Sequence, residues 1–357
     1  MEFNDKQFSV YQGNKLKVEI FGASHAPEIG VIVNGLEGQT ADFELLKSFM
    51  ARRRAKATAY STKRLETDEV IIEKGFDGKV FDKEFKAVIK NKEQRSKDYD
   101  NTVRTPRPSH ADFVAWSKYG DGFDYRGGGK FSGRLTAPMC IAGGIAKQIL
   151  EKKGIKIYAY ISQIGTVKGK SYRDGGKISK PSDEFFPLLD ESVKDKMMQE
   201  IEDASAQLDS VGGVIECVVE GMPVGAGEYM FDSIESIISH LVFAVPAVKG
   251  IEFGWGFELP KMRGSDANDS FYYDGDVVKT RTNHNGGING GLSNGMPITF
   301  RVAIKPTPSI SKEQDTIDMV QKKNVKLSIE GRHDACITPR AVPVIEAVTA
   351  IAIYDCL

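Results

Sequence analysis

Apolar and polar positions alternate along Lys15–Phe21, and the apolar run in Gly30–Asn34 reads as a second strand, with the turn Gly22–Pro27 between them. A period of two marks strands with one buried face. Beyond Thr40, the apolar residues Phe43, Leu45, Leu46, Phe49 and Met50 recur at helical spacing, with Glu44 in the first turn. A helix capped by Thr40 is expected there, ending in Arg52, Arg53, Arg54 and Lys56. Val70–Glu73 reads as a strand, and Phe81–Lys90 fits a short helix or a strand. Thr136–Leu150 is small and apolar throughout, with Lys147 and Gln148 near its end, and predicts a helix. Ile155–Ile164 predicts a strand, Ser192–Ser205 an exposed amphipathic helix, Val214–Glu220 a strand and Phe231–Phe243 a helix.

The pattern repeats itself. Val31–Gly38 runs from a strand into Gly35-Leu-Glu-Gly38, then a helix, then the strand Val70–Glu73. Val214–Gly225 runs from a strand into Gly221-Met-Pro-Val-Gly225, then a helix, then the strand Gly250–Gly254. Two related halves are expected, although strand–turn–helix units are common enough to arise independently. No Pro/Ser linker divides the chain, and Lys168–Ser182, rich in Gly, Lys and Ser, is the expected surface excursion.

Composition narrows the function classes. The 357 residues carry 48 basic and 49 acidic side chains, a net charge of −1, so the basic excess of a sequence-blind nucleic-acid binder is missing. Any anion site must be a local cluster. Cys140, Cys217, Cys336 and Cys356 are scattered without a CxxC pair, against a disulfide framework or thiolate zinc site. Met1–Val10 lacks the apolar run of a signal peptide. The most apolar stretches, Ile234–Val248 and Ala341–Tyr354, are short and broken by Pro246, Pro343 and Glu346, so no membrane span is expected. A reducing, cytoplasmic setting follows as the expectation. Glycine is high at 36 residues, against a usual share of about 7 %.

Several segments hold the residue types of anion chemistry. His25 sits in the turn Gly22-Ala-Ser-His25. Arg107-Pro-Ser-His110-Ala-Asp112 places arginine beside histidine, a pairing that can bind phosphate oxygens and protonate a leaving one. Arg52, Arg53, Arg54, Lys56, Lys63 and Arg64 are six bases with no acid between them. Arg126-Gly-Gly-Gly129-Lys130-Phe-Ser132-Gly-Arg134 leads into a predicted helix, an arrangement whose backbone amides cradle anions, but without Walker spacing. Asn283–Gly295 holds five glycines that let backbone approach a flat ligand, without the Rossmann pattern. Lys305-Pro-Thr-Pro-Ser309 and Gly331-Arg332-His333-Asp334 with Arg340 complete the set. Each segment alone also fits a turn, a solvated face or an ion-pair cluster.

Taken in order, these segments resemble the chorismate synthase family from about Gly13 to the C-terminus. Gly22-Ala-Ser-His25 is similar to the family's Gly-Glu-Ser-His, and Arg107–Asp112 to its Arg-Pro-Gly-His-Ala-Asp. Lys118-Tyr-Gly120, Arg126–Thr136, Asp209-Ser-Val-Gly-Gly213, Ala247-Val-Lys-Gly-Ile-Glu252, Gly286–Gly295, Lys305-Pro-Thr307 and Gly331–Asp334 follow. The departures are Ala23 for Glu, Ala26 for Gly, Ala55-Lys56 for Pro-Gly, and Ala59 for an arginine of many members. Lys130, Phe131 and Leu135 replace Arg, Ser and Glu, and Pro246 replaces Asn.

The resemblance implies one α+β domain over residues 1–357, a β-α-β sandwich with antiparallel sheets around a helical layer and pseudo-two-fold halves, assembled as a homotetramer. It implies an anti-1,4-elimination of phosphate from 5-enolpyruvylshikimate 3-phosphate to give chorismate, with reduced FMN (FMNH2) and no net redox. Arg53, Arg64, Arg107, Arg134 and Arg332 would clamp the substrate, with Ser24 and Ser132 as hydroxyl partners. His110 would protonate the leaving phosphate, His25 the flavin, and Asp334 would assist proton removal. Lys130, Phe131, Ser132, Ala247, Gly290, Lys305, Pro306, Thr307, Pro308, Ser309 and Arg332 would contact FMN. Ala59 and the missing Rossmann pattern lean towards an external reductant rather than reduction of its own flavin with NADPH. Two rival readings stay open: a lapsed relative that binds flavin without turnover, and an enzyme for another phosphorylated cyclohexene.

Overall fold

The alternating segments of the first half pair into one antiparallel sheet: β1 (Phe8–Gln12), β2 (Lys17–Gly22), β3 (Glu28–Asn34), β4 (Ile71–Phe76) and β5 (Phe81–Lys90), in the order β1-β2-β3-β5-β4. The computed structural model describes residues 7–54, 67–91, 104–120, 124, 126–176, 178, 185–329 and 334–357. Val31 of β3 stands opposite Ile20 on one side and Ala87 on the other, all three buried. Phe81–Lys90 is therefore a strand, lodged between β3 and β4 with Phe81, Phe85, Ala87 and Ile89 turned inward. Helix α1 (Phe43–Arg53) connects β3 to β4, and α2 (Asp112–Tyr119) and α3 (Thr136–Lys152) follow β5. The cap of α1 is Asp42 rather than the expected Thr40: its carboxylate accepts from the amides of Glu44 (2.8 Å) and Leu45 (3.3 Å). The helix starts three residues after Thr40, beyond the reach of that hydroxyl, which instead accepts from Lys152 Nζ.

The second half repeats this order. β6 (Lys156–Ile164), β7 (Val167–Lys168), helix α4 (Lys194–Ala206), β8 (Gly213–Glu220), α5 (Ile234–Phe243) and β9 (Val248–Phe253) come first. The four-residue helix α6 (Gly264–Ala267) follows. Then come the hairpins β10 (Phe271–Asp274) with β11 (Val277–Thr280) and β12 (Ile288–Asn289) with β13 (Leu292–Ser293). β14 (Ile298–Ile304), the hairpin β15 (Gln314–Asp318) with β16 (Lys323–Leu327) and α7 (Thr338–Cys356) complete the described elements. The second sheet is ordered β7-β6-β8-β14-β9. In each half a strand, a helix and an edge strand are followed by a strand that inserts between the first two: β3, α1, β4, β5, then β8, α5, β9, β14. A central helix follows each time, α3 or α7, so the expected pseudo-two-fold halves are present. Ser192–Ser205 lies almost wholly in α4, which buries only Met197 and Ile201. The region Phe231–Phe243 turns helical at Ile234, where Ser233 caps α5.

The helices form the middle layer of an α+β sandwich. α3 packs on β2, β3 and β5, α7 on β6 and β8, and the two helices pack on each other. One apolar core runs from Val31 and Phe85 through Ile141 and Ile345 to Cys217 and Phe300. Ala341–Tyr354, the apolar stretch of the sequence, belongs to the buried α7, and no helix among the described residues is long and apolar enough to cross a membrane. The start of the Lys168–Ser182 excursion is pinned: Ser171 Oγ (2.6 Å) and the Tyr172 amide (2.9 Å) donate to buried Glu216.

The contact between α3 and α7 leaves no room for a side chain at Gly143, where a Cβ would fall 2.3 Å from the Ala347 carbonyl oxygen. Gly143→Ala is expected to lower stability by about 1–3 kcal/mol, the usual scale for overpacking. Gly264→Ala, whose Cβ would meet nothing within 4 Å, is the neutral control. Denaturant melts that show equal midpoints for the two variants would contradict the contact.

Candidate active site

Three loops converge at the end of the sandwich where α3 and α7 begin. The first follows β2 and carries Ser24 and His25, both buried. The second is the glycine loop, wound through the left-handed region at Gly127 (φ 57°), Gly128 (φ 85°) and Gly129 (φ 54°). A Cβ on Gly127 would sit 2.6 Å from both His25 Cε1 and Ser24 Oγ, and one on Gly128 would sit 3.2 Å from His110 Cε1. The loop thus threads between the two histidines, and only glycine combines that backbone with that approach. The Ser24 amide donates to the Gly129 carbonyl (3.1 Å), tying the first loop to the second. Ser132 caps the turn into α3 by accepting from the Arg134 amide (3.3 Å).

The third loop presents His110. Its Nδ1 lies 2.7 Å from Asp112 Oδ1, and Asp112 also receives Arg107 through Nε (2.7 Å) and Nη2 (2.7 Å). Arg107 Nη1 donates to Ser309 Oγ (3.1 Å), and Lys305 Nζ to the Ser109 carbonyl (2.6 Å), so the segment after β14 braces the loop. Burial pushes the Asp112 carboxyl up, but its bonds to Arg107 and His110 outweigh this and leave it well below the usual carboxylate value. Burial, helped by Lys249, pulls Lys305 below the usual lysine value.

A second buried charge cluster lies beside the glycine loop. Arg53, Asp68 and Arg134 are 4 %, 3 % and 9 % exposed, which excludes bulk water as their counter-charge. Asp68 accepts from Arg53 Nη2 (2.8 Å) and from Arg134 Nη1. Burial raises the Asp68 carboxyl, and the Coulombic pull of Arg53 and Arg134 more than reverses it, so Asp68 stays ionised below its ordinary value. Arg134 Nε donates to Asn91 Oδ1 (3.1 Å), while Asn91 Nδ2 reaches the Ala26 carbonyl (2.7 Å), linking the arginine to the His25 turn. Arg340 Nη1 donates to Asp334 (2.5 Å) and its Nε to the Arg53 carbonyl (3.2 Å).

These groups line one cavity of about 410 Å3. Of the residues singled out in the sequence, Ser24, Arg53, Arg107, His110, Phe131, Ser132, Arg134, Ala247, Lys305, Thr307, Pro308, Ser309 and Asp334 are on its wall. His25 backs Ser24 and Gly127 from behind. Three residues expected at the flavin are not on this wall. Gly290 is exposed at the turn of the β12–β13 hairpin, Pro306 is exposed off the wall, and Lys130 Nζ lies 5.0 Å from the Tyr119 ring centroid. Arg64, Arg332 and His333, like Lys56, Ala59 and Lys63, lie outside the described residues. Leu135, where the family has Glu, is buried in the core. Sequence reasoning missed Asp68 and Asn91 and named Asp112 only as part of the His110 segment, without a role; the signal for Asp68 was an acid close behind a run of six bases.

The cavity has the donors and the apolar wall of a site for an anionic ligand beside a ring system. Arg53 Nε and Thr307 Oγ1 are buried with no partner among the described residues. Val245, Pro246, Ala247, Ile337 and Val344 form an apolar wall, and Ala247 holds a left-handed backbone (φ 73°). Val245–Ala247 belong to the turn between α5 and β9, and Lys305 donates its amide to the Ala247 carbonyl (3.0 Å).

Comparison with known proteins follows the same lines. The family profile described as chorismate synthase matches residues 16–357. A chorismate synthase of Dehalococcoides mccartyi is 40 % identical over 347 residues, 96 % of this chain and 95 % of the relative. One from Thermococcus kodakarensis is 42 % identical over 346 residues, covering 96 % of each chain. A crystal structure of a chorismate synthase superposes with a TM-score of 0.74 at 24 % identity, over 97 % of this chain and 92 % of that one.

The Asp68 cluster makes a pH-dependent prediction. A carboxyl depressed on folding stabilises the protein above its unfolded value near 3.8 and loses that contribution as the pH falls towards the folded value. Asp68→Asn removes the carboxylate that buried Arg53 and Arg134 share and is expected to cost ~3 kcal/mol at pH 7. The deficit against the parent shrinks below pH 3.8. Melts in which the deficit is the same at pH 7 and pH 3 would contradict an ionised Asp68.

Proposed function

The chain belongs to the chorismate synthase family and has that family's activity; we propose that its cavity carries out an anti-1,4-elimination of phosphate from 5-enolpyruvylshikimate 3-phosphate, giving chorismate, with reduced FMN as cofactor. The observation that carries this reading is the glycine loop held between His25 and His110 in a cavity lined by three buried arginines. A substrate with one phosphate and two carboxylates needs such donors, and an elimination needs an acid at the departing oxygen.

Arg53, Arg134, Arg64 and Arg332 would clamp the substrate; Arg107, expected among them, is bonded to Asp112 and Ser309. Ser24 and Ser132 supply hydroxyls. His110 gives its proton to the leaving phosphate oxygen. His25 would protonate the cofactor, and Asp334, in its ion pair with Arg340, would assist proton removal there. Phe131, Ser132, Ala247, Lys305, Thr307, Pro308 and Ser309 are the wall residues that would hold FMN. Reduced FMN, when bound, would supply transient electron donation with no net redox; the protein supplies charge, orientation and exclusion of water. We propose in addition that residues 1–357 form one domain, as the continuous core supports, and that the protein works in the cytoplasm as a homotetramer. Exposed Met230 and Phe231, 73 % and 90 % accessible, support association.

Anaerobic incubation with the phosphorylated substrate and reduced FMN should release phosphate and chorismate in equal amounts. Flavin binding without product would make the chain a lapsed relative, and phosphate released only from another cyclohexene would make it a substrate-shifted one. His110→Ala should lower kcat ~10²–10⁴-fold with flavin affinity nearly unchanged; a loss below about tenfold would remove His110 from the acid's role.

A further inference from the structure

The loop that carries His110 also holds a carboxylate without a direct part in the elimination. Asp112, the first residue of α2, is 5 % exposed. Its Oδ2 accepts from the Arg107 amide (3.0 Å) and Nε (2.7 Å). Its Oδ1 accepts from Arg107 Nη2 (2.7 Å) and lies 2.7 Å from His110 Nδ1. Arg107 Nη2 also lies 3.1 Å from His110 Nδ1, a contact whose roles depend on the ring tautomer, and the shorter approach of ionised Asp112 Oδ1 decides it. An ionised oxygen at 2.7 Å requires a hydrogen on Nδ1. The second proton of the imidazolium is then on Nε2, the nitrogen beside Gly128, where a Cβ would come within 3.3 Å.

Arg107 is correspondingly committed. It contacts Asp112 by Nε and Nη2, and Ser309 Oγ by Nη1. Its guanidinium faces the loop's own carboxylate, in contrast to Arg53, whose buried Nε has no partner among the described residues.

We propose that Asp112 is a positioning residue of the reaction: it holds the Nδ1–H of His110 so that Nε2–H faces the leaving phosphate, and Arg107 braces this pair instead of clamping the substrate. The inference rests on the elimination reading of the cavity. The Nε2 proton passes to the departing oxygen as the carbon–oxygen pair moves onto that oxygen. His110 is left neutral, with its remaining proton on Nδ1 against Asp112, and solvent restores the other.

Asp112→Asn keeps the shape and removes the charge. The expected result is a loss of kcat of roughly 10–100-fold, part of the general-acid contribution, with KM and flavin affinity within about threefold. In a His110→Ala background the same substitution should change kcat by less than about threefold, because residues that act as a unit are not additive. Arg107→Lys should likewise lower kcat at nearly constant KM. A rise in KM with kcat preserved, or losses that multiply in the double variant, would overturn the proposal. Nitrogen NMR of the histidine-labelled parent, with the His110 signal assigned by its loss in His110→Ala, should show hydrogen on Nδ1; a neutral ring protonated only on Nε2 would overturn it. That reading does not depend on turnover. It decides the proposal even if Asp112→Asn fails to fold, and a parent that makes no chorismate would refute the elimination reading alone.

Discussion

Helices α3 and α7 meet where Gly143 lies over the Ala347 carbonyl, closer than any side chain would allow. The next residue, Gly144, turns to α1, where a Cβ would come within 2.6 Å of Leu46. Two adjacent glycines therefore set the spacing of three helices in the middle layer. Each central helix packs on its own sheet, so this spacing also fixes how far apart the two sheets stand. Thr136 at the start of α3, and Ile337 and Ala341 around the start of α7, line the same cavity. The end of the layer that receives the cavity loops is thus built from the same contact that joins the halves.

Charge burial governs what those loops can do. Arg53, Arg107 and Arg134 are all nearly inaccessible, and so are Asp68 and Asp112. Buried arginines without partners would be costly, and the two aspartates answer most of that cost before any ligand arrives. The three arginines are not equivalent. Arg107 is held on two sides by one carboxylate, whereas Arg53 and Arg134 share theirs. The two arginines that share a carboxylate both line the cavity beside the glycine loop, a placement suited to an anion. A dedicated carboxylate makes a rigid support for a histidine.

The repeated strand–turn–helix–strand order was legible because it depends on local alternation and on turns such as Gly221–Gly225. The insertion of β5 and of β14 between earlier strands was not legible: pairing order is set by contacts distant in sequence. The choice of Asp42 over Thr40 turned on where the first helical residue fell, a matter of two positions. Seven residues named from motifs, Ser24, His25, Arg107, His110, Ser132, Arg134 and Asp334, come together around the cavity. Gly290 does not join them on its wall: its motif forms a hairpin turn that caps the start of α5 through the Gly291 carbonyl. Asp68 escaped notice because its partners lie 15 and 66 residues away in the chain.

The most direct test is a crystal structure of the protein with 5-enolpyruvylshikimate 3-phosphate and oxidised FMN bound. A phosphate oxygen is expected within about 3.2 Å of His110 Nε2, with Arg53 and Arg134 on the substrate's anionic groups and Arg107 still on Asp112. A phosphate gripped by Arg107, with the His110 ring turned away from it, would contradict the account.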